Sequence, residues 1–389
     1  MNVLISGAGI AGPCLAFWLR RHGFGATIVE RAPALRRGGY VVDFWGAGYD
    51  VADRMGLIPR ILEKGYPVRE VREVDRAGRR IGGFDADVFR RMAGGRYTSV
   101  PRGELAASLY GALDAGTETI FGDGVTAIRD LGGEVRVEFE RAAARTFHLV
   151  VGADGLHSEV RRIAFGEESR WERYLGLKVA AFVASGYRPR DELVYVTHTE
   201  TGQQVGRFSM RDDRTMFLFI FADPDPELPR DGAGQRALLR ERFAGSAWEC
   251  PQILDALDEA GELYMDRVSQ IRMDRWTRGR VALVGDAAFC VSLLGGQGSA
   301  LAMVAAYVLA GELRASRGDH VTAFERYEDR LGGFLAMKQR AAVRFAPFFA
   351  PRSRLGLLLR NQVMKLMAIP LVADRAVGKG FRDAVALPD

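Results

Sequence analysis

The first thirty residues alternate between apolar runs and glycine-rich breaks, which predicts a strand, a helix and a second strand. Residues 2–6 (NVLIS) form a short apolar run that ends at a glycine, as is typical of a buried parallel strand. A helix is expected from about Ala11 to His22, with Pro13 in its first turn, where a missing N–H is tolerated. The apolar run at 26–30 (ATIVE) is then the second strand, so the chain begins with a βαβ unit.

The middle of the chain has a different pattern, in which short strand-like segments are separated by turns. From about Leu177 to Ile271 these segments predict an antiparallel sheet. Residues 279–288 (GRVALVGDAA) return to the pattern of the first strand, and residues 299–345 and 352–383 are predicted to be mostly helical. The predicted fold is therefore α/β, with a Rossmann-type (GR2-like) nucleotide-binding domain, an inserted antiparallel β-sheet domain and C-terminal helices.

This order of elements predicts a discontinuous nucleotide-binding domain made of residues 1–175 and 272–330. The inserted sheet domain is predicted at 176–271, with parts of 66–100, and it is expected to supply the substrate pocket. A C-terminal helical region at 331–389 is expected to bridge the two domains. Its basic, amphipathic tail at 354–381 leaves a membrane-surface helix open as an alternative, although the pattern favours the bridge.

An uncharged stretch from Phe289 to Ala310 is long enough to cross a membrane. Its centre, GGQGS, is better explained as a loop that leads into a buried helix. We therefore predict neither a membrane span nor a membrane partner.

Composition narrows the possible functions further. The 54 basic residues are nearly balanced by 49 acidic ones, for a net charge of +5 without a Lys/Arg block, so no nucleic-acid partner is expected. Three cysteines without a C-x-x-C pair predict no disulfide framework and a reducing, cytoplasmic location. The five histidines lack a metal-ligand spacing, so no metal is predicted.

The glycines between the first strand and the helix follow a Gly-x-Gly-x-x-Gly pattern. Gly7 permits a tight turn, Gly9 lets the backbone approach a pyrophosphate, and Gly12 lets the helix pack on the strand. The helix N-terminus then offers free N–H groups to the phosphates. Glu30 ends the second strand, where its carboxylate can accept from ribose hydroxyls and would repel a 2′-phosphate. These residues leave NAD and FAD open as ligands and exclude NADP at this site.

Further motifs follow in a fixed order along the chain. They are R-x-x-L-x-x-x-L at 102–109, D-G-x-x-S-x-V-R at 154–161, G-D-A-A at 285–288 and G-Q-G at 296–298. With these motifs the chain resembles the class A FAD-dependent monooxygenases, the aromatic-hydroxylase-like family. The segments 36–57 and 279–313 are most similar to the tetracycline-inactivating and polyketide-tailoring members.

The resemblance implies FAD as the bound cofactor, NAD(P)H as a transient reductant and O2 as a co-substrate. It implies a monooxygenase that hydroxylates an electron-rich aromatic or polyketide-like small molecule through a flavin C4a-hydroperoxide, so no catalytic side chain is predicted. A Baeyer–Villiger oxygenase and a flavin-dependent reductase or dehydrogenase on the same scaffold remain alternatives. A third alternative is a protein that binds its ligand without turnover.

The resemblance also assigns site residues. Asp286 follows a buried strand and is expected to accept from a ribityl hydroxyl, while the backbone N–H groups near Gly296 face the N1–C2=O edge of the flavin. Arg102 is expected near the ribityl chain or the pyrophosphate. The predicted cofactor-binding residues are Gly7, Gly9, Ile10, Ala11, Gly12, Glu30, Arg31, Arg37, Asp43, Arg102, Val125, Asp154, Asp286, Gly296, Gln297 and Gly298.

Three positions depart from the family pattern. Relatives usually carry His, Pro and Asn where this chain has Phe289, Leu293 and Ala300. These departures bear on oxygen activation more than on FAD binding. The predicted substrate contacts are large apolar side chains of the inserted sheet: Phe208, Met210, Phe217 and Phe219.

Overall fold

The computed structural model describes residues 1–36, 38, 40–367, 369, 372 and 387–388. Arg37, one of the predicted cofactor-binding residues, lies outside the described residues.

The strands of the described residues lie between residues 2 and 283, with helices among them. In chain order the strands are β1 (Asn2–Ser6), β2 (Gly25–Glu30), β3 (Val41–Trp45), β4 (Glu70–Val74), β5 (Arg80–Asp85), β6 (Tyr97–Pro101), β7 (Glu118–Phe121), β8 (Val125–Asp130), β9 (Val135–Phe139), β10 (Arg145–Phe147), β11 (Leu149–Gly152), β12 (Glu172–Ser185), β13 (Val194–Glu200), β14 (Gln203–Ser209), β15 (Arg214–Ala222), β16 (Leu263–Ile271), β17 (Thr277–Arg278) and β18 (Val281–Leu283).

The longest helices of the described residues lie toward the C-terminus. They are α1 (Ala11–Arg21), α2 (Ala47–Arg54), α3 (Ile58–Lys64), α4 (Asp87–Met92), α5 (Arg102–Tyr110), α6 (Glu159–Phe165), α7 (Gly232–Phe243), α8 (Cys250–Glu259), α9 (Asp286–Phe289), α10 (Gly298–Ala315), α11 (His320–Phe349) and α12 (Arg354–Met367). Short 3-10 turns lie at Glu168–Arg170 and Leu293–Gly295.

A six-stranded sheet forms the nucleotide-binding half, in the order β17-β18-β11-β1-β2-β7. Its central strands are parallel, and residues 3–5 of β1 and 149–151 of β11 are fully buried. These strands carry unbroken apolar runs because both faces of the sheet are buried. Strands β1 and β11 share one core cluster with residues of α1 and α10 and with Val135, Val137 and Phe147 of the three-stranded sheet β10-β9-β8. The apolar α10 is long enough to cross a membrane, but it is mostly buried inside the protein, which makes it a core helix.

A seven-stranded sheet forms the other half, in the order β16-β12-β15-β14-β13-β4-β5. It combines strands from residues 70–85 with strands from residues 172–271, because β13 pairs in parallel with β4. A three-stranded sheet (β10-β9-β8) and the two-stranded ribbon β3-β6 complete the strands that the described residues form. The predicted fold class is confirmed, while the exact domain boundaries stay a prediction.

The two faces of the seven-stranded sheet have different neighbours, since successive side chains on a strand point to opposite faces. One face packs under α7 and α8 and includes Phe217 and Phe219, in the same cluster as Phe243. The other face includes Phe208 and Met210, which pack with residues of the nucleotide-binding half. The four predicted substrate contacts are therefore divided between the two faces.

Candidate functional site

Four residues predicted for cofactor binding lie at the carboxyl edge of the six-stranded sheet. Gly7 follows β1, Glu30 ends β2, and Asp154 and Asp286 come directly after β11 and β18. Because these strands are parallel neighbours, their carboxyl ends meet at one edge. Ligands of open α/β sheets bind at this edge.

The glycine turn after β1 assigns a separate role to each glycine. Gly7 has a φ of +110°, and its N–H donates to the Val29 oxygen at 2.7 Å. A Cβ on Gly12 would lie 1.9 Å from the Gly7 oxygen, so Gly12 is required for packing the helix on the strand. A Cβ on Gly9 would meet only the Arg102 guanidinium, at 3.8 Å. Gly9 is therefore the glycine that faces the open side of the turn.

Helix α1 begins directly after this turn. Ile10 is its N-cap residue and Ala11 its first residue, and both are buried. No side chain caps the helix, so its first-turn N–H groups have no side-chain acceptor among the described residues. Such a terminus is suited to a phosphate.

The Glu30 carboxylate is held by backbone groups on both sides. Its Oε2 accepts from the Ala8 N–H at 2.8 Å, and its Oε1 accepts from the Ala32 N–H at 2.9 Å. Each oxygen keeps further lone pairs for hydroxyl donors. This fixed carboxylate at the end of β2 matches the predicted ribose contact.

Arg31 and Val125 lie near each other beyond β2. The Arg31 guanidinium is 3.5 Å from the Glu140 carboxylate, and its Nε would be 3.4 Å from a Cβ on Gly124, the residue before Val125. Arg31 is largely exposed, whereas Val125 is buried at the start of β8. Their contact with a cofactor stays a prediction.

Arg102 lies close enough to Asp286 for its charge to act on the Asp286 carboxyl. Burial raises the pKa of the Asp286 carboxyl, while the charge of Arg102 and a hydrogen bond from the Cys290 thiol act in the opposite direction. Within the described part of the chain, the Arg102 side chain has no hydrogen bond or ion pair. A cation that leaves its side chain unpaired beside Gly9 is suited to an anionic ligand.

A loop at residues 289–298, called here the glycine loop, carries the G-Q-G motif. Ser292 has a φ of +87°, which is strained for a residue other than glycine, and its Oγ accepts from the Leu294 N–H at 3.2 Å. Gly296 is left-handed, and a Cβ on Gly298 would lie 3.8 Å from Asp286 Oδ1. Helix α10 starts here with Gln297 as its N-cap residue and without a side-chain cap.

Buried amides hold this strained loop from outside. Gln339 of α11 points its Nε2 at the oxygens of Ile271, Phe289 and Cys290, at 2.7, 3.2 and 3.2 Å. Gln270 of β16 donates to the Val291 oxygen at 3.0 Å. The residues on the N-terminal side of Ser292 are thus fixed by side chains that come from other elements.

Lys338, the neighbour of Gln339, holds the other end of the glycine loop. Its Nζ donates to Gln297 Oε1 at 2.8 Å and lies 5.7 Å from the centre of the Trp45 ring. Gln297 is buried, and its Nε2 has no hydrogen-bond partner among the described residues. Helix α11 therefore anchors both ends of the loop.

The departures at Phe289 and Ala300 have packing reasons. The Phe289 ring packs on Trp276, with 5.1 Å between ring centres, inside the apolar core. Ala300 packs against α2, where a Cβ on Gly48 would lie 2.5 Å from the Ala300 Cβ. Leu293 is partly buried against an apolar cluster of the seven-stranded sheet.

Asp154 uses its side chain for the fold. Its carboxylate accepts from the Ser158 hydroxyl and from the Val160 N–H, the latter at 3.1 Å, at the start of α6. Burial raises the pKa of this carboxyl. A cofactor contact from Asp154 stays a prediction.

Arg161, from the same motif, is completely buried. Its guanidinium donates to the Ala287 oxygen at 3.0 Å and to the Glu168 carboxylate at 2.6 Å. It is therefore a positioning residue that holds the segment after β18.

Asp43 lies on the β3-β6 ribbon between the two halves of the protein. Its Oδ1 accepts from the Tyr97 hydroxyl at 2.8 Å and from the Ser99 hydroxyl at 2.6 Å. Burial raises the pKa of the Asp43 carboxyl, and both hydrogen bonds oppose that rise. Its charge contributes to the raised pKa of Tyr195, which places Asp43 near the seven-stranded sheet.

Aromatic side chains meet next to this ribbon. Phe208 stacks on Tyr195 with 4.4 Å between ring centres, and the N–H of Val41 points at the Met216 sulfur at 3.2 Å. Tyr40, from the nucleotide-binding half, and Tyr264, from β16, have ring centres 5.9 Å apart. Phe208 and Met210 thus lie on the face against which Tyr40 and Val41 pack, whereas Phe217 and Phe219 belong to the core under α7 and α8.

Sequence reasoning did not identify Gln270, Lys338, Gln339 or Tyr264. The sequence did contain one signal for Gln339, which lies four residues after the buried Leu335 and three before the buried Ala342. This spacing places Gln339 on the buried face of the helix. A polar residue in a buried helical stripe needs partners. Which carbonyls it binds depends on the tertiary fold.

The edge as a whole fits an extended dinucleotide. It offers the N-termini of α1 and α10, which have no side-chain caps, and the open glycine Gly9. It also offers the carboxylates of Glu30 and Asp286 and the guanidinium of Arg102, which has no hydrogen bond or ion pair among the described residues. These groups suit phosphates, ribose hydroxyls and a flat ring whose carbonyl edge takes N–H donors. The fold and this edge define a dinucleotide-dependent oxidoreductase of the flavoprotein class.

Comparison with known proteins identifies the family. The model of the FAD binding domain matches residues 1–323. An uncharacterised protein of Mycobacterium tuberculosis is 41% identical over 346 residues, covering 87% of this chain and 91% of its own length. A flavin-dependent monooxygenase of an unknown prokaryotic organism is 34% identical, with 88% of each chain covered. The crystal structure of tetracycline destructase Tet(55) superposes with a TM-score of 0.85 at 30% identity, covering 100% of this chain and 98% of that one.

The chain belongs to the FAD-binding family of flavin-dependent monooxygenases, and it is an FAD-dependent oxidoreductase. The resemblance found in the motifs is thereby confirmed, and so is FAD as the cofactor.

Proposed function

We propose that the protein is an NAD(P)H-consuming monooxygenase that hydroxylates an electron-rich aromatic or polyketide-like small molecule. Bound FAD supplies the electron transfer and the oxygen activation. Overall, substrate, O2, NAD(P)H and a proton give hydroxylated product, NAD(P)+ and water. The three cysteines, all buried free thiols, support a reducing, cytoplasmic location.

One observation carries the assignment of the substrate site. Aromatic side chains from both halves of the protein meet beside Arg102 and Asp286, where Tyr40 lies against Tyr264. Burial raises the pKa of Tyr40 to about 12, so its hydroxyl is neutral at physiological pH and can donate a hydrogen bond. Phe208 and Met210 form the buried floor nearby.

The combination of aromatic side chains with the charged groups of Arg102 and Asp286 favours a flat, partly polar ligand. Aromatic walls with few placed polar groups are typical of small-molecule sites, and ring-to-ring contacts stabilise fused-ring ligands. The similarity to a tetracycline destructase supports the same class of substrate.

The experiment measures NADH and NADPH oxidation by the purified holoenzyme with a panel of phenolic and enolic polyketides. We expect stimulation by at least one member and a product heavier by one oxygen atom. Oxidation of NAD(P)H with a reduced, oxygen-free product would contradict hydroxylation and favour a reductase.

Two phenylalanines of the same sheet provide a matched pair of variants. Phe208→Leu is expected to raise KM and to uncouple NAD(P)H oxidation from product formation. Phe219→Leu, on the opposite face, is expected to lower stability alone, since both side chains are fully buried but only Phe208 belongs to the cluster against which Tyr40 packs. Equal kinetic effects of the two variants would contradict this placement of the substrate.

A further inference from the structure

Helix α12 is fixed to the seven-stranded sheet by one face. Arg360 forms a buried ion pair with Glu73 of β4, with 2.8 Å between Arg360 Nη1 and Glu73 Oε1, and its Nε donates to the Phe348 oxygen at 3.1 Å. Met364, one turn later, is also buried, next to Gly82 of β5. These contacts set the rotation of α12 about its own axis.

The opposite face of α12 is exposed and mostly apolar, although the exposed Gln362 also lies on it. Leu355, Leu358, Leu359 and Leu366 are 76%, 61%, 65% and 53% exposed, and Val363 is 42% exposed. Their spacing of i, i+3, i+4, i+8 and i+11 places them on a single side of the helix. An exposed aliphatic stripe of this size marks an interaction surface, because soluble monomers rarely leave such patches open.

The charged side chains of α12 itself are all positive. Helix α12 contains no Asp or Glu, and the exposed Arg354 and Lys365 lie at its two ends. If the same helix of a second copy packed here in antiparallel orientation, Arg354 of each copy would face the Lys365 end of the other. Like charges would then meet at both ends, which disfavours self-association and favours an anionic partner.

We propose that the leucine stripe of α12 binds the surface of an anionic membrane, with the helix lying in the interface plane. Aliphatic side chains enter the boundary between headgroups and acyl chains, while Arg354 and Lys365 contact lipid phosphates. This is a peripheral contact of the folded enzyme and is separate from the FAD site. Of the two interpretations of the tail at 354–381, the proposal favours a membrane-surface helix over a helix that only bridges the domains.

The test uses flotation of the full-length holoenzyme with vesicles of phosphatidylcholine alone or of an equimolar mixture with phosphatidylglycerol. We expect binding to the mixed vesicles, weakened by added salt, and little binding to the neutral ones. The double variant Leu355→Asp/Leu359→Asp is expected to lower the partition coefficient for the mixed vesicles at least tenfold. The double variant Arg354→Gln/Lys365→Gln is expected to lower it about fivefold for each charge removed.

Leu131→Asp/Val321→Asp is the matched control, because these two side chains are also more than half exposed but lie far from α12 in sequence. The control is expected to float like wild type, and all variants are expected to retain FAD. Absence of wild-type flotation with the mixed vesicles would overturn the proposal. Sedimentation measures the oligomeric state of the wild type and of Leu355→Asp/Leu359→Asp. A dimeric wild type and a monomeric variant would overturn the proposal, because the stripe would then bind a second copy of the chain.

Discussion

Replacing Gln339 with Leu tests whether α11 holds the glycine loop in its cofactor-binding shape. The two hydrogens of Nε2 serve three carbonyl oxygens, at 2.7, 3.2 and 3.2 Å, so the variant leaves at least two buried acceptors without their donor. An unsatisfied buried polar group costs about 1–3 kcal/mol. Leu is similar in volume to Gln, so the lost hydrogen bonds dominate, and we expect the free energy of unfolding to fall by about 2–4 kcal/mol.

The same change is expected to weaken FAD binding through the loop. The positive φ of Ser292 is maintained by the anchored carbonyls around it, and such backbone strain is worth about 1–3 kcal/mol. Once the anchor is lost, the loop relaxes, and FAD binding must restore its shape. If this restoration costs about 1.4 kcal/mol, the Kd for FAD rises about tenfold.

Two assays measure these effects separately. Urea unfolding of the apoprotein gives the stability change, and titration of the apoprotein with FAD, followed by flavin fluorescence, gives the Kd. Arg340→Ala is the control, because Arg340 is the next residue of α11 and is exposed. Wild-type stability together with a wild-type Kd in Gln339→Leu would refute the anchoring role.

The remaining predictions concern the turn, the arginine and a histidine. Gly9→Val should abolish FAD binding while the protein stays folded. Gly12→Val should unfold the protein, because a Cβ at position 12 collides with backbone and a Cβ at position 9 does not. Circular dichroism distinguishes the two outcomes. Arg102→Met should raise the Kd for FAD at least tenfold, because hydrogen bonds to charged groups are worth about 1.5–3 kcal/mol. The same variant should leave the urea midpoint of the apoprotein unchanged. His157 donates hydrogen bonds to the carboxylates of Asp266 and Glu168, which raise the pKa of His157 from 6.5 to about 10, so its stabilising effect is complete below pH 6.5 and is lost as the pH rises through 10. The stability difference between wild type and His157→Gln should shrink over that pH range, and a constant difference would contradict the assignment.

The parts of the site that depend on local sequence were predictable. The glycine turn, the acid at the end of β2 and the segment after β18 each follow a buried strand, and parallel strands bring such ends together without further information. The motifs therefore indicate the edge, the cofactor and the residues around Gly9 and Asp286.

The parts that depend on tertiary contacts were not predictable. Phe208 and Phe219 have the same residue type on neighbouring strands, and only the register of β14 with β15 shows that they point to opposite faces. Gln339 binds carbonyls 49 to 68 positions earlier in the chain. Neither spacing nor residue type specifies such partners, because long-range packing selects them.

The measurement that tests the central claim most directly is the incorporation of isotopic oxygen during turnover. The purified holoenzyme is given NADPH, a polyketide that stimulates NADPH oxidation, and ¹⁸O2 in ordinary water, and the product is analysed by mass spectrometry. We predict one labelled oxygen in the product for each NADPH consumed in coupled turnover. A product that contains oxygen only from water, or no added oxygen at all, would contradict the assignment of the protein as a monooxygenase.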